Sequence, residues 1–197
     1  MKRLVLMAML MAGTAGAADF SDPDWPCIQR KQPHLSLGSV WSGPLPDAAV
    51  EELAKAPEVQ ALAQRLEQRR LPVEEAEALI ADFAQGKDAQ QMAALYLATF
   101  ERIDALRSRV MNGIARYAHK QEALDAQIDE RRAEMSKLEA ADAPDFDRID
   151  ALEEQLDWDT RVFRDRQQSL TYVCETPVIL EQRAFALGRA VAAHLPE

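Results

Sequence analysis

Two cysteines, three histidines and thirty-three carboxylates are the first places to look for chemistry in this chain of 197 residues. Cys27 and Cys174 have neither a CxxC spacing nor a neighbouring histidine. That leaves a redox centre or a zinc site without its local signature. In an oxidising compartment an even pair reads instead as a disulfide. It would close a loop of about 147 residues, which the chain-entropy account values at roughly 4–5 kcal/mol. His34, His119 and His194 stand alone, with no i, i+4 pair and no HExxH, as expected of surface or capping histidines. Glu51, Glu52, Glu74, Glu75 and Glu77 are dense enough to suggest a hard-cation site. Such sites need oxygens converging from a loop, whereas these acids spread around helix starts and read as a solvated face. There is no CxxCH, no Gly-rich phosphate loop and no GxSxG. No catalytic residue, cofactor ligand or metal ligand is assigned, and the expectation is a protein that is not an enzyme.

Binding residues stand out better than catalytic ones. Prolines at 23, 26, 33, 44 and 46 forbid a continuous helix near the N-terminus. The same stretch carries Trp25 and Trp41 with Ile28, Leu35, Leu37 and Val40, too apolar for a solvated tail. An extended strap pinned by Cys27 follows, with Leu35-Ser36-Leu37 able to form a short extended run. One reading makes the strap a structural staple whose tryptophans fill a groove. The other makes it a docking surface presenting Trp25, Arg30, Lys31 and Trp41, because Trp and Arg dominate interface energetics. Asp24-Trp25-Pro26-Cys27-Ile28-Gln29-Arg30-Lys31, with Val40-Trp41-Ser42-Gly43-Pro44, resembles an uncharacterised family of exported proteobacterial proteins. The resemblance spans Asp24 to Pro44 and implies a Gram-negative periplasmic setting. It carries no activity, cofactor or catalytic residue with it.

The first residues agree with export. Lys2 and Arg3 precede an apolar run from Leu4 to Ala12, and Ala15-Gly16-Ala17 supplies small residues for cleavage after Ala17 or Ala18. Residues 1–17 are therefore expected to be a signal peptide, too short in its apolar run to span a bilayer. The formal charge of −10 becomes −12 once Lys2 and Arg3 are removed. An acidic exported chain is poorly suited to nucleic acid or to direct binding of anionic membrane, since both need a basic face.

Positioning falls to helices. Ala, Leu, Glu, Gln and Arg are abundant and β-branched residues scattered, so the expected fold is all-α. Asp47 is a candidate N-cap, Pro57 and Pro72 open further short helices, and Gly86 sits where a C-cap glycine belongs. From about Asp88 to Glu139, apolar residues recur at heptad spacing: Met92, Tyr96, Thr99, Ile103, Leu106, Val110, Gly113, Tyr117, Leu124, Ile128, Met135 and Leu138. Gly113 is expected to mark close helix packing, with a kink that lets the helix curve around a partner as the alternative. After a turn near residue 142 the seam returns through Phe146, Ile149, Leu152, Leu156, Phe163, Leu170 and Val173. Pairing about that turn puts Ile128 against Leu156, and Cys174 with the strap near Val110 and Met111. Glu175-Thr176-Pro177 is expected to end the second long helix, with a final helix over 178–195.

The expected architecture is a helical bundle body with a long antiparallel coiled-coil hairpin and an irregular N-terminal strap. The strap occupies 18–46, the body 47–117 and 164–197, and the arm 118–163. Seam apolars thin out and charge rises along the arm, as in a two-stranded coil with exposed flanks. Trp158, between Asp157 and Asp159, reads as an amphipathic ring on that flank. The leading functional expectation is a periplasmic interaction or scaffold protein that docks through arm and strap on a protein partner, such as an envelope membrane complex. A holdase-type chaperone, and a small-molecule or metal carrier with its pocket in the body, are the alternatives. Oligomeric state is not encoded legibly.

Overall fold

A computed structural model describes Asp22 and residues 24–196. The export signal over 1–17 and its cleavage site lie outside the described residues. Among those residues there are six helices and no strand: α1 (Leu37–Val40), α2 (Ala48–Leu53), α3 (Pro57–Leu66), α4 (Val73–Ala84), α5 (Ala89–Glu139) and α6 (Phe146–Ala192). The protein is an all-α helical bundle. Its helix starts follow from local chemistry. The Asp47 carboxylate accepts from the Val50 N–H at 2.9 Å, and Pro57 opens α3. Asp88 and Gln91 form a reciprocal capping box at the head of α5, with bonds of 2.8 and 3.0 Å. Gly86 takes the left-handed conformation, φ 71°, that lets the chain turn from α4 into α5.

The core gathers the start of α5, the end of α6 and helices α1 to α4. Residues 92–99 of α5 are buried on every side, as required of a helix surrounded by others. Met92, Leu95, Tyr96 and Ile103 meet Leu180, Leu187 and Val191 there, with Leu66 and Ile80 from the short helices. The strap closes this core at Gly188. The Val40 carbonyl lies where a Cβ on Gly188 would stand, only 2.2 Å away. The Tyr96 hydroxyl sits 3.0 Å from that carbonyl and 3.1 Å from the carbonyl of Ala184, so its single proton is shared between them. Burial raises the Tyr96 pKa and keeps the phenol neutral.

Beyond the body, α5 and α6 run on as an antiparallel pair. Tyr117 donates to the Arg166 carbonyl at 2.8 Å, Gln121 to that of Phe163 at 3.1 Å, and Arg131 pairs with Asp159. These contacts centre the turn near residue 142, with Ile128, Leu152 and Leu156 buried in the seam.

Five local expectations are corrected. α6 runs unbroken through Pro177. The proline costs about 3 kcal/mol in a helix interior, but Cys174 on one side and Leu180 to Val191 on the other are fixed by packing, and this overrides the local penalty. Leu35-Ser36-Leu37 is no extended run, because Leu37 starts the one-turn α1. Between Ile103 and Ala118 the buried positions are Arg107, Met111 and Ile114, each one residue after the expected seam. The strap lies on that face and draws the burial toward itself. For the same reason Cys174 is buried and Val173 exposed. Nothing packs closely on Gly113, where an added Cβ would meet only Arg116 Nη2 at 3.9 Å. Finally, Phe146 is 70% exposed and not in the seam. It is the first residue of α6, and helical side chains lean toward the N-terminus, so its ring projects past the end of the pair.

Candidate functional site: the strap clamps and the arm

The strap is held along α5 by three consecutive clamps. Furthest toward the arm, Cys27 is bonded to Cys174 with Cα atoms 5.6 Å apart, and Trp25, Met111 and Ile114 pack around the bridge. The Trp25 indole donates to the Gln29 carbonyl, and Lys31 reaches back to Asp22 at 2.8 Å. Asp24 meets His119 Nε2 at 2.7 Å, and Glu122 lies 3.3 Å from the other ring nitrogen. These carboxylates, Asp24 first, raise the His119 pKa. In the middle clamp, Asp104 accepts from the Leu35 N–H at 2.8 Å and contacts His34 Nδ1 at 2.9 Å, while buried Arg107 donates to the Gln32 carbonyl. In the last clamp, the Trp41 ring stacks on Tyr96 with centroids 4.5 Å apart and donates to the Pro44 carbonyl at 2.8 Å. Gly43 is needed there, because its Cβ would fall 2.2 Å from the Trp41 ring.

The four residues singled out as a docking surface therefore divide. Trp25 and Trp41 are each only 7% exposed and turned into the protein, so neither indole face is offered to a partner. Lys31 is tied to Asp22, and Arg30, exposed, takes no part in the clamps. The disulfide, the Asp104 bond and the Trp41–Tyr96 stack hold the strap along α5.

The arm concentrates charge. Between 118 and 163 there are fourteen acidic and six basic residues, a net −8 out of −10 for the whole chain. Trp158 is 64% exposed beside Asp157 and Asp159. A shallow groove of about 690 Å³ runs alongside it, lined by Asp150, Glu153, Glu154 and Arg161. With Phe146 at the tip, the arm carries two large rings in an acidic field. Trp158 was legible as a flank residue, and its acidic neighbours were the available signal. Arg107 was not legible, because an arginine beside Leu106 looks like one more coil charge until the strap covers it.

Among the described residues, no group of three His, Cys, Asp or Glu side chains converges as a metal site, and no helix is long and apolar enough to cross a membrane. Compared with known protein families, with curated proteins and with solved structures, the chain matches none.

Proposed function

We propose that this chain is a non-enzymatic interaction protein of the periplasm that docks its acidic arm on a basic surface of a protein partner in the cell envelope. One observation carries the reading. The arm buries little beyond its own seam, yet it holds most of the net charge and exposes Trp158 and Phe146. Exposed charge of one sign steers encounter with the opposite sign, and an aromatic ring among charges is the usual anchor of such a contact. The basic n-region and small-residue cleavage site, the Cys27–Cys174 bridge and the resemblance over Asp24 to Pro44 support the periplasmic setting. In this reading the strap is a clamp that sets the arm's direction. A holdase gains less support, since client capture draws on apolar surface, whereas the arm's exposed face is mainly charged, with Phe146 and Trp158 as its exposed large apolar residues.

The test is capture from detergent-solubilised envelope by immobilised full chain, by Trp158→Ala, and by a chain with 118–163 replaced by a short turn. The expected result is one partner retained at low salt, weakened in Trp158→Ala and lost without the arm. Equal capture by all three chains would remove the arm from the function.

A further inference from the structure

A second surface, on the opposite end of α5 and α6 from the arm, has the reverse charge. The end of α3, the loop into α4, and the body portions of α5 and α6 surround a groove of about 1010 Å³. Arg69, Arg70, Arg109 and Arg183 line it. Glu67 is the one acid in the lining, and it is already held by Arg102 through two bonds of 3.1 Å. On a chain of net charge −10, four guanidinium groups facing one occupied carboxylate is a local inversion.

Arg183 makes the inversion specific. It is 7% exposed. Its Nε donates to the Leu66 carbonyl at 2.7 Å and its Nη1 to the Leu71 carbonyl at 2.9 Å, closing the end of α3 and the following loop. Its remaining nitrogen, Nη2, is buried with no partner. A buried guanidinium without a counter-ion is costly, and the two carbonyls supply only part of what a carboxylate or phosphate would. Leu106 and Ile179 add apolar wall to the same groove.

We propose that this groove binds a small amphiphile bearing one oxyanion head, a carboxylate or a phosphate monoester. The head lies among Arg69, Arg70 and Arg109 and completes the bonding of Arg183. The apolar body lies along Leu106 and Ile179. The buried Nη2 is the donor that the protein leaves without a partner, and so the one the head completes. Arginines suit this task because each presents paired donors to two oxygens. The size of the groove matches sites for small molecules.

The experiment is titration calorimetry on the oxidised full chain with dodecanoate and with dodecyl phosphate, both below their micelle concentrations. Octyl glucoside serves as the neutral amphiphile and inorganic phosphate as the head alone. Saturable binding of at least one anionic amphiphile, weakening with salt and stronger than either control, is the expected result, and the tighter of the two identifies the head. Arg69→Gln/Arg109→Gln changes two exposed residues, so helicity and thermal midpoint should hold while affinity falls at least about tenfold, the loss expected for charge-assisted bonds. Arg183→Lys tests the buried group, but its structural bonds make the double variant the decisive one. The proposal is overturned if neither anion binds, if octyl glucoside binds as tightly, or if the folded double variant binds as well as the parent.

Discussion

At the scale of single residues, the strap's contacts are unequal, and two of them give sharp expectations. Gly188 is the tightest, since any Cβ there collides with the Val40 carbonyl and presses on the Tyr96 ring. Gly188→Ala must push α1 off the core, and a loss of about 3 kcal/mol is expected, at the upper end for overpacking. Denaturant unfolding with an unchanged midpoint would refute that contact. His119 is the titratable one. Asp24 and then Glu122 raise its folded pKa, with Lys31 3.9 Å from Asp24 as the other charge nearby. A raised folded value means the contribution is fully present below the unfolded value of about 6.5 and is lost as pH climbs through the folded one. Amide protection over 24–29 should therefore exceed that of His119→Gln at pH 6 and converge with it once the pH has risen above the raised folded value. A constant difference across that range would mean that His119 acts only by shape.

At the scale of elements, the two long helices obey different rules along their length. Near Tyr96 their surroundings decide everything. At the Gly113 position itself an added Cβ would meet only Arg116 Nη2 at 3.9 Å, so the backbone's own preference decides. Gly113→Ala should thus stabilise the protein by about 1 kcal/mol, the helix-interior cost of glycine. A loss of stability in thermal unfolding would show that a close approach exists after all. The same division explains what the sequence made legible. Helix starts at Asp47, Pro57 and Asp88 were readable because a cap is a local event. The turn near 142 and the meeting of Cys174 with Met111 were readable because heptad register extends rigidly from one point. Pro177 misled because its local cost is outweighed by packing far along the chain. The one-residue shift of burial at Arg107, Met111 and Ile114 was hidden because the strap adds cover there, through Gln32, Trp25 and Cys27, to what α6 supplies. The arginine groove was hidden for a related reason: its four guanidinium groups come from three separate stretches that only the fold brings together.

At the scale of the whole molecule, the protein is a stapled body with a lever, and its stability should be graded along that lever. The disulfide joins residues 147 apart and ties the strap to the lever's root. Reducing it should cost about 5 kcal/mol in the chain-entropy account, less if the reduced chain retains structure. The arm itself depends on a narrow seam, with Ile128, Leu152 and Leu156 its most buried large apolar residues, and a charged surface whose pairs are mostly exposed and individually weak. Opening such a segment exposes little apolar area, so its tip should open without the body unfolding. Native-state amide exchange ought to show this as a gradient in α5. Amides near Leu95 to Ile103 should exchange only through global unfolding, whereas those near Met135 should open at a cost lower by roughly 3 kcal/mol or more. Replacing 118–163 by a short turn should then leave the protection of Leu95 to Ile103 nearly unchanged. If instead protection is uniform to the tip, or the body loses protection when the arm is removed, the arm is part of the core's cooperative unit, and a lever free to mould itself to a partner is the wrong description.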